Sequence, residues 1–150
     1  MNNAAIAIPN LLYTYAELFD AGDFHGAARL FSQGALIIGG QRIAGEDTIA
    51  ELWRGWVHLY AGGTPSTRHL TTNPIITLAA DGNTASCRSQ WTVLQATETY
   101  ALQIVATGRY EDKFQRMDGE WRFTERLYAR VDFTGDTSAH LKKQLMGKDG

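Results

Sequence analysis

The chain has 150 residues, 14 Lys plus Arg against 16 Asp plus Glu and a formal net charge of −2, which is room for one domain and no charge excess to attract nucleic acid or an anionic membrane. An apolar share of 44% beside 20% charged residues excludes a disordered chain, and the single cysteine, Cys87, excludes an internal disulfide or a thiolate metal cluster. No stretch approaches the roughly 18 apolar residues of a membrane span, and the N-terminus lacks the basic start of a secretory leader, so a cytoplasmic protein is expected.

The elements read as helices first and strands second. Pro9 suits a first helical turn, and Leu11, Leu12, Tyr15, Leu18 and Phe19 recur behind it at helical spacing until Ala21-Gly22. Asp23 is placed to cap a short second helix ending near Phe31. Residues 35–39 and 41–43 read as short strands around Gly39-Gly40. A third helix follows Gly45, with Asp47 or Thr48 near its start; Ile49, Leu52, Trp53, Trp56, Val57 and Tyr60 lie on one face until Gly62-Gly63. From Ser66 the period switches to alternation, with strands over 67–78, 86–95, 100–114 and 120–133 and turns at Asp81-Gly82-Asn83 and Asp118-Gly119. In the third of these, Leu102, Ile104, Ala106, Gly108 and Tyr110 share a face. In the last, Trp121, Phe123, Leu127, Ala129, Val131 and Phe133 share an apolar face, and Arg122, Thr124, Arg126, Tyr128, Arg130 and Asp132 a polar one. A short terminal helix is expected beyond Gly135.

Helices followed by an antiparallel meander argue for an α+β fold, a single domain over 1–150 with its core at about 8–133. Strands this long must twist and curl, and a curled sheet closed by helices forms a cone with a cavity suited to a small molecule. No phosphate loop, dinucleotide fingerprint, zinc-helix motif or nucleophile elbow is present, and no two of the four His have a metal-ligand spacing. His25 and His58 fall on helices and His140 in the tail. His69, in Thr67-Arg68-His69, starts a long strand, and Asp20 ends the first helix. Brought together, they would give an imidazole of fixed tautomer with a stabilised charged form. A lone strand histidine and an aspartate that merely stops a helix is the competing reading.

Three passages, taken in order and spacing, carry a resemblance. They are Leu18-Phe19-Asp20-Ala21-Gly22-Asp23 leading into Ala28-Arg29-Leu30-Phe31, Thr67-Arg68-His69-Leu70-Thr71-Thr72-Asn73, and Gly108-Arg109-Tyr110-Glu111-Asp112 with Asp118-Gly119-Glu120-Trp121-Arg122-Phe123. The layout from Ile8 to Phe133 resembles the SnoaL-like branch of the nuclear-transport-factor-2 superfamily. That branch includes scytalone dehydratase, bile-acid 7α-dehydratase, hexachlorocyclohexane dehydrochlorinase and the small subunits of ring-hydroxylating dioxygenases. The resemblance implies Asp20 and His69 as an acid–base dyad with His69 the general base. It places Tyr15 where a catalytic Tyr or Lys stands and Arg126 where an Arg supports the leaving group. Ala129 departs from the dehydrochlorinase, which has Cys there, and the second His of scytalone dehydratase has no evident counterpart.

The implied activity is a cofactor-independent lyase or isomerase acting on a small hydrophobic, cyclic substrate, with no metal or organic cofactor. Trp91, Trp53, Asn73 and Tyr128 are the candidate substrate contacts, although Trp53 reads as core before ligand contact, Tyr15 equally as core and Arg126 equally as part of a polar interface face. Two alternatives stay open. One is a non-catalytic small-molecule-binding or structural subunit. The other is an isomerase whose base is Asp112 or Asp132. A homo-oligomer is expected, a trimer before a dimer.

Overall fold

The computed structural model describes residues 3–143. Helix α1 spans Ala4–Asp20, capped by the Asn3 side chain, which accepts from the Ala5 N–H at 2.9 Å. It starts five residues before Pro9, which therefore lies inside the helix, past its first turn, where the ring leaves the Ala5 carbonyl without its helical N–H partner. Ile8, Leu12, Tyr15, Ala16, Phe19 and Asp20 form its buried stripe, so the inward face ends on a carboxylate. Asp23 caps α2 (Phe24–Arg29) as expected, accepting from the Gly26 N–H at 2.8 Å.

Strands β1 (Ala35–Ile38) and β2 (Gln41–Ile43) precede α3, Glu46–Trp56. The apolar spacing of α3 runs on to Tyr60, but the helix stops at Trp56 because Val57 turns extended and bridges Leu141. A short 3-10 turn, Ala61–Gly63, leads into β3 (Thr67–Leu78), β4 (Thr84–Thr97), β5 (Tyr100–Met117) and β6 (Glu120–Thr134). The sheet order is β2-β1-β6-β5-β4-β3, antiparallel except for the parallel β1/β6 pair. The fold is α+β: helices at the N-terminus cover one face of a six-stranded, mostly antiparallel sheet. Beyond β6, residues 135–143 form turns and the Val57–Leu141 bridge; the terminal helix expected there is absent from the described residues, and 144–150 lie outside them. Among the described residues no helix is long and apolar enough to cross a membrane.

Bulges correct the simple alternation read from the sequence. Between Phe114↔Phe123 and Lys113↔Glu125 the register passes over Thr124, and beyond that point the inward face of β6 moves from the odd to the even positions. Trp121 and Phe123 point inward on one side of the bulge, and Arg126 and Tyr128 on the other, so Arg126 leaves the polar face assigned to it and is fully buried. Gly34 abuts this bulge: a Cβ there would come within 2.5 Å of the Thr124 carbonyl oxygen, so only glycine lets β1 start against it. Between Val93↔Ala106 and Leu94↔Ile104 the register likewise passes over Val105. Leu102 and Ile104, expected beside Ala106 and Tyr110, are therefore turned outward at 70% and 56% exposure.

Candidate active site

Asp20 and His69, 49 positions apart in sequence, meet where α1 ends against the start of β3. β3 is an edge strand, so alternate backbone N–H groups face away from the ladder. The His69 N–H uses that freedom to donate to Asp20 Oδ2 at 2.7 Å. The imidazole Nδ1 lies 2.6 Å from Asp20 Oδ1, and the Thr67 hydroxyl donates to the same oxygen at 2.7 Å. Asp20 thus spends both oxygens on the segment Thr67–His69. A carboxylate at a helix C-terminus is opposed by the helix dipole and by its own burial, and charge-assisted hydrogen bonds offset both. Phe19 packs edge-on to the His69 ring at 5.1 Å between centroids and fixes its plane.

This arrangement decides a tautomer. Asp20 accepts from Nδ1–H, which leaves the Nε2 lone pair free to take a proton. Nε2 has no hydrogen-bond partner among the described residues, and the side chain keeps 9% of its surface open.

Deeper on the same face is a second charged pair. Arg126 Nε and Nη2 donate to Asp112 Oδ1 and Oδ2 at 2.8 and 3.0 Å, both side chains being 0% exposed. The guanidinium lies over Tyr110 and Tyr15, at 3.7 and 4.3 Å from their ring centres, with Phe123 at 5.1 Å. Asp112 holds Arg126 charged well beyond the ordinary arginine range; burial pushes the Asp112 carboxyl up and Arg126 pulls it back. Around them runs a phenol network. The Tyr15 and Tyr128 hydroxyls are 2.6 Å apart, and Trp53 Nε1 donates to Tyr128 at 3.0 Å. Burial raises all three of Tyr15, Tyr110 and Tyr128, so they remain neutral hydrogen-bonding groups. Cys87, in register with Asp112, is a buried thiol pushed up to about 11 by desolvation and by that carboxylate.

The expected residues therefore separate into groups. Asp20 and His69 are in contact, and Trp91 and Tyr128 are linked through Tyr110 into one aromatic wall, with centroids 6.1 and 5.5 Å apart and Trp56 6.0 Å beyond Tyr128. Trp91 spreads into the space left by Gly108, where a Cβ would stand 2.2 Å from its ring. Trp91, Tyr128 and Trp56 keep part of their surface open, as a pocket wall must. Trp53 is fully buried and acts as core, its N–H serving the phenol network. Tyr15 and Arg126 are buried among aromatics; Arg126 gives Nε and Nη2 to Asp112, and its buried Nη1 has no hydrogen-bond partner. Asn73 stays outside: it sits exposed on the β3 bulge at φ 53, donating to Gln90 at 3.1 Å, because the bulge that accommodates Pro74 turns it from the concave side. Of the aspartates considered as an isomerase base, Asp112 is held by Arg126 and Asp132 pairs with Arg109 and Arg130. A groove of about 460 Å³ lies elsewhere, at the opposite end of β3 and β4, lined by Thr77, Ala85, Lys113 and Phe114 among others.

Sequence reasoning missed Thr67 as the third Asp20 partner, and it missed His140. The latter is 6% exposed, with its ring 6.2 Å from that of His69. No period marks an irregular tail segment, so only the return of residues 135–143 over the sheet end brings His140 there.

The profile of the SnoaL-like domain matches residues 3–127. Among solved structures, Rv3472 of Mycobacterium tuberculosis, a protein of unknown function, is similar at 28% identity and a TM-score of 0.69, over 86% of this chain and 72% of that one. An NTF2-like protein with a cystatin-like fold from Novosphingobium aromaticivorans shares 24% identity at a TM-score of 0.68, over 89% and 84% of the two chains. A candidate scytalone dehydratase of the same organism shares 22% at 0.68, over 89% and 87%. These last two likenesses establish the fold. The curated proteins contain no match to this chain.

Proposed function

The chain belongs to the SnoaL-like domain family, and from that premise we propose that it is a cofactor-independent lyase that eliminates water or halide from a small, hydrophobic cyclic substrate. The observation that carries this reading is the Asp20–His69 contact at 2.6 Å, with the imidazole anchored on one side and open on the other. His69 Nε2 takes the proton from a carbon beside a carbonyl. The C–H electron pair forms the new double bond as the leaving group departs with its own pair. The imidazolium then returns the proton to released hydroxide or to solvent. Asp20 keeps the ring oriented and balances its charge in the transition state, work of the kind that contributes about 10²–10⁴-fold. The aromatic wall from Trp91 through Tyr128 to Trp56 supports a flat ring as substrate.

The test uses 3-hydroxy-1-tetralone, whose loss of water gives fluorescent 1-naphthol, and deuterium exchange at C2 of 1-tetralone, which needs no leaving group. The wild type is expected to accelerate both, and His69→Ala to lose at least ~10²-fold. Equal rates for wild type, His69→Ala and buffer would overturn the reading. A second reading, a binding or structural subunit without activity, is favoured by one observation: Tyr15, Trp53 and Arg126 fill the deep half of the interior. It predicts retention of 1-tetralone without exchange.

We further propose self-association through the outer sheet face, where Leu70, Leu102, Ile104 and Phe133 are 45–76% exposed. Sedimentation is expected to give an oligomer, a trimer before a dimer, and Phe133→Asp to lower its mass. A wild-type monomer would refute this.

A further inference from the structure

The segment after β6 is held in place at several points. Gly135 donates to the Val105 carbonyl at 2.8 Å, and the Gln95 amide donates to the carbonyls of Ala139 and Pro65 at 3.0 and 3.1 Å. The Tyr60 hydroxyl also donates to Ala139, and His58 N–H donates to the His140 carbonyl at 2.9 Å. Lys142 N–H reaches the Trp56 carbonyl at 2.8 Å, beside the Val57–Leu141 bridge. What this clamp delivers is the His140 ring, set edge to face with His69 at 6.2 Å and 70°.

The two nitrogens of His140 are unequal. Nδ1 is buried without a hydrogen-bond partner. A buried N–H lacking an acceptor is rarer and costlier than a buried bare lone pair, so the proton belongs on Nε2. The pair is then complementary: His69 presents a bare nitrogen, and His140 an N–H.

We propose that His140 is the second imidazole of the site, its Nε2–H donating a hydrogen bond to the substrate oxygen, carbonyl or departing hydroxyl, while His69 Nε2 takes the proton. This deepens the general-base reading and rests on it for the reaction, though not for oxygen recognition. Burial, with His69 and His58 nearby, lowers His140 to about 4 against the opposing pull of Asp20, so the ring is a neutral donor at neutral pH. A neutral imidazole polarises an oxygen without giving up its proton, and it does not compete with His69 for the substrate's. The groups facing it are Asp20 from the end of α1, His69 from β3 and His58 from the stretch after α3.

The test compares 1-tetralone with tetralin, the same bicycle without oxygen, by tryptophan-fluorescence titration. The wild type is expected to bind the ketone at least ~10-fold more tightly, as one buried hydrogen bond requires. His140→Phe keeps a ring without the donor and is expected to bind both alike; His140→Gln, whose amide nitrogen can occupy the Nε2 position, is expected to restore the preference. Long-range ¹H–¹⁵N NMR of the free wild type is expected to show His140 protonated on Nε2. A preference that survives in His140→Phe, a wild type without preference, or an Nδ1–H tautomer would overturn the assignment. His69→Ala is expected to retain the ketone preference. If eliminations fail while that preference follows His140, the base reading falls and the oxygen site stands.

Discussion

Two acid–base pairs share the concave side of the sheet, and they are built to opposite ends. Asp112 and Arg126 meet through two parallel hydrogen bonds, with no exposed surface and aromatic rings over the guanidinium. Asp20 meets His69 through one side-chain bond, anchors the strand's N–H and the Thr67 hydroxyl, and leaves the far edge of the imidazole unbonded among the described residues. The first pair is closed on itself by two bonds and sealed from solvent, with Arg126 Nη1 left buried and without a hydrogen-bond partner, whereas the second is bonded on one side only. Chemistry needs a group with an edge left open to solvent: a charge bonded to its neighbour and fully buried is framework, even with one nitrogen unbonded.

The most direct way to break the comparison is to remove one partner of the buried pair. Asp112→Asn strands a buried guanidinium and is expected to cost about 3–5 kcal/mol in urea unfolding. The double replacement Asp112→Leu with Arg126→Met is expected to recover most of that loss, since an apolar pair carries no desolvation penalty. If the double variant is as weak as the single one, Arg126 has a role beyond the pair.

At the open pair the sensitivities are expected to reverse. Asp20→Asn keeps one acceptor oxygen where the Thr67 hydroxyl and the His69 N–H use two, and should cost about 1–3 kcal/mol of stability. It should lower elimination by about 10²-fold or more, because the amide no longer balances the charged ring. Equal losses of stability and activity in the two variants would erase the distinction.

Acid gives a third, smaller contrast. His140 is lowered to about 4 from an ordinary 6.5, so the unfolded chain binds more protons than the folded one between those values. Stability is therefore greatest above pH 6.5 and falls as the pH drops toward 4, by roughly 2–3 kcal/mol in all. His140→Gln is expected to remove that slope in urea titrations at pH 4.5 and 7. Smallest is the change far from both pairs: Asp23→Ala removes the α2 cap and should cost about 1 kcal/mol with activity intact.

How much of this was legible beforehand depends on the residue. The dyad is singled out by the family resemblance, and the element ends are compatible with it: Asp20 closes an apolar helical stripe, His69 opens a long strand, and a helix packed on an edge strand brings such ends together. The buried pair could not be read. Counting back from the Asp118-Gly119 turn with unbroken alternation places Asp112 opposite Glu125, two like charges facing each other inside the sheet. Passing over Thr124 slides Arg126 opposite Asp112 instead. No local pattern announces that slip, whose bulged residue Thr124 packs against Gly34, a position far away in the chain.

The sequence by itself therefore determined the class of fold and the helices-then-sheet order, since period, caps and turns are local and their energies act within a few residues, while the dyad was singled out by the family resemblance. Tertiary structure decided which face each long strand turns inward, that Asn73 stands outside and Trp53 is core, and that a tail without period returns His140 to the site. Those outcomes hang on bulges and on contacts between segments far apart in the chain, where one residue of slip exchanges a buried face for an exposed one.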